Sequence, residues 1–62
     1  MKLKYARIEA GISQKEFAEI MGVSRTMVSL WEQGKNLPCK KKREKIKAFF
    51  KEKGIEVKFE VL

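Results

Sequence analysis

Residues 13–34 read SQKEFAEIMGVSRTMVSLWEQG, and this stretch predicts two short helices joined by a tight turn. Ser13 and Glu16 form a capping box, in which the Ser13 hydroxyl accepts the Glu16 backbone N–H and the Glu16 carboxylate reaches back. Ile12 before the cap and Phe17 after it are placed as a hydrophobic staple. The first of the two helices is therefore expected to begin directly after Ser13.

Gly22 marks the turn between the two helices, because a tight turn needs a residue that tolerates positive φ. Ser24 then caps the next helix, which we expect to run from Arg25 to about Gln33. A small residue, Ala18, suits the place where the two helices approach closely. This is helix-turn-helix geometry, in which the second helix enters the DNA major groove. Helical spacing assigns the following apolar residues to the core: Phe17, Ala18, Met21, Val28 and Trp31.

Two further helices flank this unit. One helical face is shared near the start of the chain by Leu3, Ala6, Arg7 and Ala10, with Gly11 suited to the position after the helix. A fourth helix is expected from about Pro38 or Cys39 to Lys53, with an apolar stripe of Ile46, Phe49 and Phe50. The fold class is therefore mainly α, with a compact four-helix domain over residues 1–54 and a tail over residues 55–62.

The spacing of apolar residues changes in the tail from a helical period to a period of two. Its apolar residues Ile55, Val57, Phe59 and Val61 alternate with charged ones, which predicts a short C-terminal β-strand. No second strand pattern occurs in the chain, so this strand must pair with another chain, fray or pack on the helices. An antiparallel ribbon between two symmetry-related copies makes these four residues the first candidate for dimerisation.

Composition limits the chemistry of the chain. Its 62 residues include 15 Lys or Arg, 8 acidic residues that are all Glu, and no His, for a net charge of +7. Neither a Ser-His-Asp triad nor a Cys-His pair can be built from these residues, and no metal-ligand spacing is present. We therefore expect no enzymatic activity, no metal and no cofactor. The single cysteine fits a reducing cytoplasm, and no apolar run is long enough to span a membrane.

The positive charge is concentrated in one region. Glu32–Lys53 carries nine basic and three acidic residues, a net charge of +6, whereas the preceding part of the chain carries only +2. A field of this kind attracts and orients a polyanion. A small basic binding module is the class that remains.

An ordered set of short motifs resembles the Cro/repressor-type (Xre-like) helix-turn-helix family. The motifs are Gly11-Ile12-Ser13-Gln14, Phe17-Ala18, Met21-Gly22-Val23-Ser24, and Trp31-Glu32-Gln33-Gly34-Lys35 up to Pro38. The resemblance covers roughly Leu3 to Phe50. It implies a compact repressor-like DNA-binding domain, and members of the family usually bind palindromic operators as dimers.

The resemblance also implies roles for particular positions. Base contacts fall on Arg25, Thr26, Ser29 and Leu30, and contacts at the DNA backbone fall on Gln14, Met27, Lys35, Asn36 and Lys40. Relatives often carry a polar base reader at the position of Leu30; a leucine departs from that pattern and has only a thymine methyl to contact. Arg7 and Glu32 occupy positions that form a partly buried ion pair in relatives.

The leading interpretation is a sequence-specific DNA-binding transcriptional regulator, a repressor of phage or mobile-element type that acts as a homodimer on double-stranded DNA. An alternative from another class is an antitoxin-like module that binds a partner protein through the tail strand, with or without DNA autoregulation. Architectural or recombination-directing DNA binding would use the same residues. The sequence does not separate it from repression.

Overall fold

The computed structural model describes residues 1–59 and contains four helices. They are α1 (Leu3–Glu9), α2 (Gln14–Met21), α3 (Arg25–Glu32) and α4 (Lys40–Lys51). The mainly α fold predicted from the sequence is confirmed. Helix α4 is shorter at both ends than expected, because Cys39 is its extended N-cap residue and Glu52 is its C-cap residue.

The starts of α2 and α3 are fixed by side-chain caps. The Ser13 hydroxyl accepts the Glu16 backbone N–H at 3.0 Å, and the Glu16 carboxylate accepts the Ser13 backbone N–H at 3.0 Å. The Ser13 backbone N–H, with the Ser13 hydroxyl, lowers the pKa of Glu16 below its usual value. Ser24 caps α3 by accepting the Met27 backbone N–H at 3.1 Å. Both caps are those that the sequence predicts.

Gly22 ends α2 in the left-handed conformation, with φ of 70°. The two N–H groups beyond the helix fold back, Val23 onto the Ala18 carbonyl at 3.0 Å and Gly22 onto the Glu19 carbonyl at 3.3 Å. This pattern satisfies carbonyls that a helix end would otherwise leave without partners. A tight turn therefore leads directly into the cap of α3.

One core joins all four helices. It contains the residues predicted to point inward from α2 and α3, together with Leu3, Ala6, Ile46, Phe50 and Val57. Phe50 lies 5.6 Å from Phe17 and 5.1 Å from Phe49, measured between ring centroids, so α4 seals the core with an aromatic cluster. Ile20 faces away from this core and is 41% exposed.

The prediction of a short C-terminal strand is wrong for the residues that the structure describes, because residues 55–59 form no strand. The alternation has another cause: Val57 is only 3% exposed and Ile55 and Phe59 are partly buried, while the charged residues between them face solvent. The Lys58 N–H binds the Met1 carbonyl at 2.9 Å. The tail therefore packs on the helices, which was one of the three expected outcomes. Val61 lies outside the described residues.

We predict that Gly22→Ala lowers the free energy of unfolding by about 1–2 kcal/mol, which is the cost of a side chain in the left-handed region. A Cβ at this position meets nothing within 4 Å, so the loss comes from the backbone alone. Urea unfolding measures it. Gly22→Asn is the matched control and should lose less, because Asn tolerates this conformation better. Equal losses in the two variants would contradict the explanation.

Candidate nucleic-acid interface

The exposed face of α3 forms the wall of a surface hollow of about 320 Å³. Its lining consists of Gln14, Arg25, Thr26, Ser29, Leu30 and Gln33. The structure therefore brings together the four positions expected to contact bases and adds the first residue of α2. These side chains share one face because α3 buries Val28 and Trp31 on its opposite side.

A buried carboxylate lies behind this hollow. Glu32 Oε2 is 2.7 Å from Arg7 Nε, and Glu32 Oε1 accepts from Arg7 Nη2 at 3.4 Å and from Gln14 Nε2 at 3.0 Å. The side chains of Arg7 and Glu32 are only 12% and 4% exposed. Arg7 Nη1 also donates to the Ile12 carbonyl at 2.8 Å. One network thus joins α1, the α1–α2 turn, the start of α2 and the end of α3.

The network determines how Gln14 faces the hollow. Its amide nitrogen donates to Glu32, at the C-terminal end of α3. With one N–H bound in this way, the Gln14 amide is held in a defined orientation at the wall. The side chain therefore forms a fixed part of the wall of the hollow.

Gln33 is a member of this face that sequence reasoning missed. Its Nε2 donates to Ser29 Oγ at 2.8 Å, one helical turn away. The available signal was the spacing, because side chains at i and i+4 are neighbours on a helix surface. The pattern of the sequence identifies Gln33 only as the end of the helix and as part of a family motif.

The other expected contacts lie outside the hollow. Lys35 and Asn36 are exposed in the loop after α3, and their backbone N–H groups bind the Leu30 carbonyl at 3.0 and 3.3 Å. Met27 is partly buried against the core, and its sulfur accepts from Asn36 Nδ2 at 3.4 Å. Lys40 is exposed at the first position of α4.

Part of the basic region has a structural role. Lys42 Nζ donates to the Met21 carbonyl at the end of α2 at 3.0 Å, where a cation complements the helix dipole. Arg43 Nη1 donates to the Pro38 carbonyl at 3.2 Å, and Lys53 lies 4.9 Å above the ring of Phe49. These three cations are therefore less available to a ligand than their charge suggests.

None of the described helices is both long and apolar enough to span a membrane. A protein-family model described as helix-turn-helix matches residues 3–38, which is more than half of the chain. No curated protein and no solved structure gave a match. The matched segment runs from the start of α1 through α2 and α3 to the loop before α4.

The network around Glu32 generates a stability prediction. Glu32→Leu leaves Arg7 buried without its counter-ion, and we expect a loss of about 3–5 kcal/mol in the free energy of unfolding. The double variant Arg7→Met/Glu32→Leu leaves no buried charge and should be more stable than Glu32→Leu alone. Urea unfolding of the wild type, Arg7→Met, Glu32→Leu and the double variant measures the coupling free energy between the two side chains. Strictly additive losses would show that the two side chains do not act as a pair.

Proposed function

The chain belongs to the Cro/C1-type (Xre-like) helix-turn-helix family of DNA-binding regulators, and from this premise we propose that it is a sequence-specific transcriptional repressor of phage or mobile-element type. The observation that carries the proposal is the hollow on α3, where residues suited to contacting bases share one exposed face. The network around Glu32 holds this face against the rest of the domain. We place α3 in the DNA major groove.

Within that arrangement, Arg25 is the first residue that contacts a base edge. A guanidinium matches the O6 and N7 acceptors of guanine with two hydrogen bonds. Arg25 is exposed at the first position of α3, where a cation opposes the helix dipole. Among residues 1–59 the one ion pair joins Arg7 and Glu32, which leaves Arg25 without an acidic partner there. Thr26 and Ser29 lie beside it and offer hydroxyl groups to base edges.

The DNA backbone is held by groups around the rim of α3. Lys35 and Asn36 follow the helix in a loop that is anchored to the Leu30 carbonyl, and Lys40 begins α4. Such contacts set the register of the protein on the duplex and make binding sensitive to salt. Gln14 and Met27 complete the proposed set at the edge of the groove.

We propose that the protein acts as a homodimer on a palindromic operator. One recognition helix of eight residues reads too few base pairs for genomic specificity. Two copies whose recognition helices are about 34 Å apart would read half-sites one helical turn apart. The tail remains the candidate contact, but the side chains of Ile55, Val57 and Phe59 already pack on their own core. The backbone N–H groups of Ile55 and Lys58 are also bound within the chain, to the Phe50 and Met1 carbonyls, so pairing through the tail would use its other backbone groups.

The antitoxin-like alternative is less well supported. It relies on the tail as a strand that joins the sheet of a partner, and residues 55–59 form no strand. DNA binding, by contrast, gives a role to the residues of α3 that line the hollow. Repression through DNA binding therefore remains the proposed function.

Arg25 provides the first test. We expect Arg25→Ala to relax base preference at one operator position, by about 1–3 kcal/mol. Arg25→Lys is the matched control, because it keeps the charge and loses the bidentate geometry, so it should also lose the preference. Affinities are measured on the best duplex selected from a random pool and on its single-base variants. An equal loss on all sequences would show that Arg25 contacts the backbone.

Lys40 provides the second test. Lys40→Ala should weaken binding to all sequences similarly and reduce the slope of log K against log salt by about one unit. Lys51→Ala removes the same charge at the far end of α4, about 16 Å along the helix axis, and should leave the slope closer to that of the wild type. Salt titrations of the three proteins on one duplex compare the slopes. Equal changes of the slope in both variants would contradict this assignment. They would mean that Lys40 acts through the overall positive field of the protein and does not contact a particular phosphate.

A further inference from the structure

We propose that two copies of the chain contact each other on DNA through the exposed face of α1, which consists of Met1, Tyr5 and Ile8. This inference rests on the proposed function and adds the surface that holds the two copies together. The occupant of the face is a second copy, related by a two-fold axis that runs along the two α1 helices, so that the helices lie side by side and point the same way.

Apolar side chains are concentrated on this face. Tyr5 and Ile8 are 58% and 55% exposed, and Met1, just before the helix, is exposed as well. Side chains three and four positions apart share one side of a helix, and Leu3 and Ala6 bury the opposite side. The large apolar residues exposed within residues 1–59 are Met1, Tyr5, Ile8, Ile20 and Leu37. Three of these five on one face form a patch, which indicates a surface for another protein.

Two opposite charges border the face. The positions of Met1, Tyr5 and Ile8 correspond to d, a and d of a heptad, which places Lys4 at g and Glu9 at e, on opposite flanks. Both side chains are exposed. Among residues 1–59 the one ion pair joins other residues of the chain, so neither charge has a partner there. Both are therefore available to pair with a second chain.

The charges determine how the second copy is oriented. In a parallel two-fold pair, Lys4 lies on the same side as Glu9 of the second copy, which is five residues or about 7.5 Å further along the axis. The two long side chains span this offset, and the symmetry repeats the ion pair on the other side. In an antiparallel pair, lysine would face lysine and glutamate would face glutamate. The parallel pair, with Tyr5 on Tyr5 and Ile8 on Ile8, is therefore favoured.

The contact is small. Helix α1 has only seven residues, and three apolar side chains from each copy bury less than the 1,200 Å² or so of a stable interface. We therefore expect weak association in free solution. On a palindrome, two copies on neighbouring half-sites have a high effective concentration, and a weak contact then produces cooperative binding. The six residues that line the hollow on α3 are different ones, so the hollow stays open to DNA.

The test compares binding of the full chain to the selected palindromic duplex and to the same duplex with one half-site scrambled. The wild type should bind the palindrome cooperatively. Ile8→Ala should reduce the cooperativity about tenfold, the equivalent of about two buried methylene groups, and leave the affinity for a single half-site unchanged. Ile20→Ala is the matched control, since Ile20 is an exposed isoleucine of α2, and it should keep the cooperativity of the wild type.

Exchange of the two charges tests the orientation. Lys4→Glu and Glu9→Lys each bring like charges together in the parallel pair, so each should reduce the cooperativity. The double variant Lys4→Glu/Glu9→Lys restores the opposite charges and has the net charge of the wild type, so its cooperativity should recover. An antiparallel pair predicts no recovery, because like residues face each other in every variant.

A cross-link tests the contact directly. In a Cys39→Ser background, which removes the native free thiol, Ile8→Cys should form a disulfide between the two copies bound to the palindrome. Ile20→Cys in the same background should form none. A non-reducing gel measures both results.

The outcomes distinguish the inference from the function on which it rests. Cooperative binding that Ile8→Ala and the charge variants leave unchanged would overturn the α1 contact and leave the proposed function intact. Sequence-specific binding without cooperativity would overturn the α1 contact together with the dimer. Binding without any sequence preference would instead refute the proposed function. The cross-link keeps the test decisive even if a charge variant fails to fold.

Discussion

The Glu32 carboxylate is the constraint on which the placement of the exposed face of α3 depends. A charge that is only 4% exposed must be paired, and Arg7 and Gln14 supply the donors from α1 and α2. Because Arg7 also donates to the Ile12 carbonyl, the turn between those helices is tied to the same point. The three helices can move relative to one another only by breaking bonds to a buried charge. The position of Gln14 beside α3 follows directly from this arrangement.

A domain of 62 residues has to use each helix for two purposes. Helix α3 buries Val28 and Trp31 and presents the residues of the hollow from its other side. The loop after it is fixed by two bonds to the Leu30 carbonyl, so Lys35 and Asn36 emerge at defined places. Helix α4 seals the core with Phe50 and carries much of the positive charge. The contacts that fold the domain therefore also determine which side chains of α3 and of the following loop are exposed.

Local chemistry made most of the fold predictable. Ser13, Glu16 and Ser24 specify where α2 and α3 begin, and Gly22 specifies where α2 ends; each acts through neighbours within a few residues. The tail was the exception. A period of two shows which side chains share a face, but pairing depends on whether another strand is present. Here the Ile55 N–H binds the Phe50 carbonyl and the Lys58 N–H binds the Met1 carbonyl, and neither partner lies in a strand. Alternation alone therefore could not distinguish a strand from an extended segment packed on helices.

Most of the residues that line the hollow could be predicted from the sequence, whereas the hydrogen bonds that hold them could not. The family resemblance selected five of the six residues that line the hollow and also the Arg7–Glu32 pair. It could not show that Gln14 binds Glu32, since the two residues are brought together only by the packing of α2 on α3. The charge run on α4 likewise gave no sign that Lys42 caps α2, because that contact joins residues 21 positions apart.

The central claim is that the exposed face of α3 is the surface that meets DNA. Backbone amide shifts measured by NMR during titration with the selected duplex test it most directly. We expect the largest changes at Arg25, Thr26, Ser29, Leu30 and Gln33, which line the hollow on α3. Smaller changes are expected at Lys47, Lys51 and Lys58, three lysines that line a separate hollow between α4 and the tail. The largest changes at those three lysines, with α3 unaffected, would contradict it.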